Sequence, residues 1–179
     1  MDNFLVIAIT SPDFFEGESE RINSILSNRD AIYVHIRKPN ASCGEIETLL
    51  KGIKSEFHHR LKLHDHFELL NNYDLGGIHL NSRNSVVHPN AKSISKSLHS
   101  LDEIENSDKY DYVFLSPIFD SISKSGYKAA FDLDSLFPVL NGRKVMALGG
   151  VTPDKFSYLK SIGFKGAALL GYFFPVSRQ

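Results

Sequence analysis

Hydroxyl, imidazole and charged side chains recur in this chain directly after short apolar runs. In chain order they are Thr10 and Ser11, His35 and Arg37, His64 with Asp65 and His66, His79 and Asn81, Ser97 and His99, then Ser116. The densest stretch, FLSPIFDSISKSG (114–126), sets Ser121 and Ser123 around Lys124. Hydroxyls and backbone amides donate hydrogen bonds to oxyanions and a lysine adds a compact charge, so this stretch reads as an anion grip. The spacing Ser121-x-x-Lys124 also suits a serine nucleophile with a lysine partner, but that pair needs a helix, and Pro117 and Gly126 frame a loop. ALGGVTPDK and ALLG place Gly149, Gly150 and Gly171 after two late runs, where glycine lets backbone amides approach phosphate oxygens closely. Gly-Gly before Thr-Pro is equally the composition of a plain turn. Asp65 offers oxygen to a hard cation such as magnesium, or caps a helix. His64, His66, His79 and His99 raise a transition-metal reading, although no helix carries the HExxH spacing.

The elements that must position these residues are legible as eight strand-like runs: FLVIAI (4–9), AIYVHI (31–36), LKLH (61–64), GIHL (77–80), SISKS (93–97), YVFLS (112–116), KVMAL (144–148) and GAALL (166–170). Between most of them lies helical spacing, as in EIETLLKGIKSEF, where Ile46, Leu49, Leu50, Ile53 and Phe57 share one face. Ser42 with Glu45 and Ser100 with Glu103 have the reciprocal capping spacing, and Thr152-Pro153 reads as an N-cap followed by proline at the first helical position. His58-His59 reads as a solvated helix C-terminus. Parallel strands need crossovers, and eight strand-helix units close most naturally into a (β/α)8 TIM barrel, with a doubly wound open sheet as the alternative. The barrel is expected to be short: Asn81 to Lys92 has weak helical character, and FFPVSRQ leaves the last helix missing or truncated. Residues after each strand then converge on one rim, where barrel enzymes place their chemistry.

With 179 residues and 42% apolar content, residues 1–179 are expected to form a single domain. A net charge of −1 without a long basic run excludes the electrostatic footprint of a nucleic-acid binder. No run approaches the roughly 20 apolar residues of a membrane span. A single cysteine, Cys43, and an N-terminus without a charged leader point to a cytoplasmic protein.

Six segments in order are similar to those of the thiamin phosphate synthases and their relatives the thiazole tautomerases, which are (β/α)8 barrels. SPIFDSISKSG resembles that family's GPIFPTxTK loop, HIR its QLREK strand end and LHDH its INDR; GIHLNSRN resembles GVHLGQED, SKSLHS resembles GxSxH, and ALGGVTPDK resembles the IGGI segment. The resemblance implies an enzyme of thiamin biosynthesis that binds small phosphorylated heterocycles. In the synthase reaction a thiazole nitrogen attacks the methylene carbon of an aminopyrimidine as pyrophosphate leaves. By resemblance, Arg37, Ser97, Ser121, Ser123, Lys124, Gly149, Gly150 and Gly171 contact phosphate groups, and Asp65 matches a magnesium-binding aspartate. Asn84 stands where a second such aspartate is expected, which implies weakened affinity for Mg2+. His35, Lys38 and Pro39 replace three residues of QLREK, and His64 replaces the asparagine of INDR. In a thiazole tautomerase, the alternative, His35 or His64 would move protons. Pro117 occupies the place of the tautomerases' histidine, as in synthases. A non-catalytic binder of thiamin phosphate is a third reading, and a homo-oligomer would cover the open end of the barrel.

Overall fold

Strand β1 (Leu5–Ile9) pairs in parallel with β2 (Tyr33–Ile36), and the order continues through β3 (Leu61–Leu63), β4 (Gly77–Leu80), β5 (Ile94–Leu98), β6 (Tyr112–Leu115), β7 (Val145–Leu148) and β8 (Gly166–Leu169). Strand β8 returns to β1, with Leu5 opposite Gly166 and Ala8 opposite Leu169, so the sheet closes into a barrel. This computed structural model describes residues 4–120 and 130–174. All eight expected runs are strands, and the open-sheet alternative falls with the closure.

The outer layer is thin. Helices α1 (Glu18–Asn28) and α2 (Cys43–Gly52) are full crossovers, whereas α3 (Asp102–Glu105), α4 (Phe137–Leu140) and α5 (Phe156–Ser161) have one or two turns. Only the short turn Phe67–Asn71 links β3 to β4, no helix lies between β4 and β5, and among the described residues none follows β8. Ser42 caps α2 as expected, its Oγ accepting from the Glu45 amide and the Glu45 carboxylate accepting from the Ser42 amide at 2.8 Å. The second expected box does not cap its helix. Leu101 precedes α3, and the Glu103 carboxylate instead accepts from the amides of His99 (2.8 Å) and Ser100 (3.2 Å), tying down the end of β5. Thr152-Pro153 opens a tight turn, Pro153–Lys155, that runs into α5. His58 is buried, not solvated, with Nε2 between the carbonyls of Leu50 and Ile53 at 3.3 and 3.2 Å; it serves the end of α2 from inside the fold, while His59 is exposed.

Strand alternation sorts side chains into two cores. Outward residues such as Val34, Ile36, Leu61, Leu63, Ile78 and Leu115 pack beneath the helices. Inside the barrel, Ile7, Ile9, Tyr112, Phe114, Met146 and Ala168 form an apolar cluster drawn only from β1 and β6 to β8. The inward positions of β2 to β5 are polar, and this asymmetry builds the site.

One buried ion pair anchors the loop after β2. Lys38 Nζ lies 2.7 Å from both carboxylate oxygens of Glu18 on α1 and donates to the Asp13 carbonyl at 2.8 Å. Burial pushes the Glu18 carboxyl up and the Lys38 amine down, each against the pull of its partner. Removing one member leaves the other charge buried and alone, which costs about 3–5 kcal/mol. Glu18→Ala is therefore expected to lower the denaturation midpoint sharply, and Glu18→Leu combined with Lys38→Met to recover most of the loss. Equal midpoints for Glu18→Ala and the unaltered protein would contradict this role.

Candidate functional site

A hydrogen-bonded column of polar side chains fills one half of the barrel. At its base Lys62 donates to Ser93 Oγ at 2.5 Å and lies 4.4 Å from the centre of the Tyr112 ring and 5.1 Å from that of Tyr33. Burial lowers the Lys62 amine to about 8, with Asp111 pulling the other way. Above it, Tyr112 Oη is 2.6 Å from His35 Nε2, and His35 Nδ1 is 2.9 Å from His64 Nε2. On the neighbouring strands His79 Nδ1 is 2.9 Å from Ser95 Oγ and His79 Nε2 is 2.8 Å from Ser97 Oγ. Ser95 Oγ donates to the Ile78 carbonyl, so it accepts from His79 Nδ1–H, and the Nε2 lone pair is left to accept from Ser97. The His64 and His79 rings stack at 4.2 Å, and His79 stacks on Phe114 at 4.7 Å.

Burial holds all three imidazoles neutral. His35 and His64 sit well below the usual imidazole range, and His79 is lowered to about 3, with neighbouring positive groups adding to burial in each case. The line from His64 through His35 to Tyr112 has two self-consistent proton arrangements, differing in the direction of both bonds. Neutral imidazoles so linked can accept, pass and return a proton. One ring nitrogen from each of His35, His64 and His79 also lies within 4.8 Å of the others, and Cys43, His66 and Glu68 form a second such group at the rim. The sequence suggests a different quartet, and the structure replaces His66 and His99 in it by His35.

At the rim above this column the loop after β4 folds over the end of β3. Asn81 Nδ2 donates to the His64 carbonyl at 2.9 Å, and Asn81 Oδ1 accepts from the amides of Arg83 and Asn84. Asp65 Oδ2 is 3.1 Å from Arg83 Nη2, and Asp65 Oδ1 accepts from Arg83 at 3.2–3.3 Å and from Asn84 Nδ2 at 2.7 Å. Asn84 Nδ2 also donates to the His64 carbonyl at 3.1 Å. Both neighbours are acceptors, so Asn84 presents its NH2 group here and not its oxygen. Asp65 and Asn84, the expected magnesium pair, are thus adjacent, but they offer a hard cation one carboxylate that a guanidinium already shares. Arg37 is fixed through its backbone, its amide donating to Thr10 Oγ1 at 2.9 Å. Its guanidinium is shifted down by burial and by repulsion from Arg83, with Asp65 opposing, so the three charges form one electrostatic group.

The remaining expected residues divide. Ser97 joins the column through His79. Gly149 and Gly150 have φ of 94° and 62°, and a Cβ on Gly150 would lie 2.3 Å from the Asp120 carbonyl. Close passage of the β6 loop therefore accounts for this glycine; it also aligns Phe119 N with the Gly149 carbonyl at 3.0 Å. Gly171 is exposed in the turn after β8. Ser121, Ser123 and Lys124 lie outside the described residues. Sequence reasoning missed Lys62, Ser95 and Tyr112, whose signal was inward parity on their strands, and Arg83, whose signal was its place beside Asn84.

A family model described as thiamine monophosphate synthase matches residues 6–172. The chain is 35% identical to a thiamine phosphate pyrophosphorylase from Bacteroides thetaiotaomicron, with a TM-score of 0.79 over 94% of this chain and 83% of that one. A thiamine phosphate pyrophosphorylase from Pyrococcus furiosus shares the fold at 18% identity, with a TM-score of 0.75 over 95% and 87% of the two chains. No curated protein matches the chain.

The imidazole column makes stability acid-sensitive. A histidine whose folded pKa is depressed contributes stability that is fully present above the ordinary value of 6.5 and lost as pH falls toward the folded value, about 3 for His79. Each such group contributes a slope of about 1.4 kcal/mol per pH unit in that window. Denaturation midpoints are expected to hold from pH 8 to 6.5 and then fall, and His79→Asn to flatten the fall. An identical slope in that variant would show that His79 is not held neutral.

Proposed function

The chain belongs to the thiamine monophosphate synthase family, and we propose that it joins the two halves of thiamin phosphate by synthase-type condensation at the rim after its strands. In that reaction the carbon–oxygen bond to pyrophosphate breaks, the bond from the thiazole nitrogen to the methylene carbon forms, and pyrophosphate leaves with the electron pair. The protein's part is to neutralise the departing anion and hold the thiazole phosphate in line. The observation that carries the reading is Arg37 and Arg83 grouped at one rim over buried, neutral imidazoles in a barrel of this family. Arg37 and Ser97 are assigned to the pyrophosphate side, and Gly149, Gly150 and Gly171 to the thiazole phosphate. Ser121, Ser123 and Lys124 are assigned to the phosphate groups as the anion grip. The family is generally magnesium-dependent. Here the ion's expected place is Asp65 with Asn84 beside it, and Arg83 already shares that carboxylate.

A second reading is favoured by the His64–His35–Tyr112 line. Condensation of the two halves needs no proton relay, whereas a thiazole tautomerase takes a proton from one ring position and returns it at another. His64 and His35 suit that exchange, being neutral and joined at 2.9 Å. A binder of thiamin phosphate without turnover is the third. No helix among the described residues is long and apolar enough to cross a membrane, and we assign the protein to the cytoplasm.

Incubation with aminopyrimidine pyrophosphate, thiazole phosphate and magnesium is expected to yield thiamin phosphate. Absence of product, with isomerisation of the carboxylated thiazole phosphate in a parallel assay, would transfer the assignment to the tautomerase. Binding of thiamin phosphate without turnover in either assay would leave a binder. Lys124→Ala is expected to weaken phosphate-bearing ligands about 10- to 100-fold, the value of a charge-assisted hydrogen bond; unchanged affinity by calorimetry would remove Lys124 from the grip.

A further inference from the structure

We propose that Arg83 supplies, as a permanent part of the chain, the positive charge that magnesium supplies elsewhere in the family, so that this rim binds the phosphoryl end of its ligand without a divalent cation. The inference rests on the reading that the ligand is phosphorylated.

Both carboxylate oxygens of Asp65 are engaged. Oδ2 faces Arg83 Nη2 at 3.1 Å, and Oδ1 faces both Arg83 and the Asn84 amide. Magnesium demands a near-octahedral set of oxygens at about 2.0–2.1 Å, and Asn84 points hydrogen where that ion needs a lone pair. Turning the Asn84 amide over would set its oxygen against the His64 carbonyl and the Asp65 carboxylate, two acceptors at 3.1 and 2.7 Å. The loop is also built to keep Arg83 in place. Its amide is held by Asn81 Oδ1 at 2.9 Å, and Asn81 is itself tied to the His64 carbonyl at 2.9 Å.

The charge count agrees. Two carboxylates with one divalent cation are neutral, and one carboxylate with one guanidinium is neutral. Either way Arg37 remains as the surplus charge facing an anion. Arg37 and Arg83 repel one another, and a phosphoryl group beside both relieves that repulsion. The Arg83 side chain is 42% exposed, and none of the described residues takes a hydrogen bond from its Nη1. One edge of the fork is thus held by Asp65 and the other is left for ligand oxygens, in the planar bidentate geometry that arginine offers.

The test is calorimetric titration of the full chain with inorganic pyrophosphate and with thiamin phosphate, in EDTA and in magnesium. Affinities for each are expected to agree within about twofold between the two buffers. Arg83→Ala is expected to lose tenfold or more in EDTA, and Arg83→Ala with Asn84→Asp to regain binding only when magnesium is added, which reports the exchange of one cation for the other. Binding by the unaltered protein only in magnesium would overturn the inference and leave the phosphorylated-ligand reading standing. No binding of either probe in either buffer would remove that reading, and the inference with it.

Discussion

The closed barrel forces every second strand residue into a space shielded from solvent, and half of that space is lined by polar groups. An unpaired donor or acceptor there costs roughly 1–3 kcal/mol, so the inward residues of β2 to β5 must satisfy one another. They do so in a column running from Lys62 and Ser93 at the base to His64 and Ser97 near the rim. The apolar half, from Ile7 and Ile9 across to Phe114 and Met146, supplies the wall against which the rings are stacked. Because each imidazole is neutral and held by its neighbours in the column, the imidazole floor of the site carries no charge.

A neutral floor strengthens whatever charge stands above it, since solvent screening is lost on that side. The cations at the rim are sorted by their carboxylate partners. Lys38 is drawn below the surface by Glu18 and does not face a ligand, although it occupies the strand end where the family pattern has charged residues. Arg37 is pinned by Thr10 through its backbone, and none of the described residues takes a hydrogen bond from its guanidinium. Arg83 is shared with Asp65. Three basic residues that look alike in the sequence thus become a structural strut, a rim charge without a carboxylate bond among the described residues and a charge shared with Asp65.

The fold was readable because parallel barrel strands are buried on both faces and appear as short, unbroken runs of apolar and β-branched residues. Ser42 with Glu45 was readable for a similar reason: its partners are three residues apart, and no tertiary contact competes. Ser100 with Glu103 has the same spacing, but the free amides at the end of β5 claimed the Glu103 carboxylate. Arg37, Asp65 and Asn81 followed from strand order, because each comes directly after a strand run. What did not follow was pairing. Tyr112 is 77 positions from His35, and Arg83 is 18 from Asp65; such partnerships depend on barrel register and loop path, which local pattern does not encode.

His64 is where column and rim meet, and it makes the departures from the family pattern interdependent. Its ring reaches down to His35, while its carbonyl accepts from both Asn81 and Asn84. An aspartate at position 84 would set a carboxylate against that carbonyl and against Asp65 Oδ1, three acceptors with no proton among them. Such an arrangement holds together only around a cation. Asparagine supplies the missing hydrogens itself, and Arg83 then neutralises the one carboxylate left. With the loop closed in this way, the His64 backbone is fixed without an ion, and its side chain can join the buried line to Tyr112. The same change that dispenses with the second carboxylate therefore stabilises the imidazole that replaces asparagine at position 64, so that the charge balance at the rim and the buried imidazole line are set by one local arrangement at the end of β3.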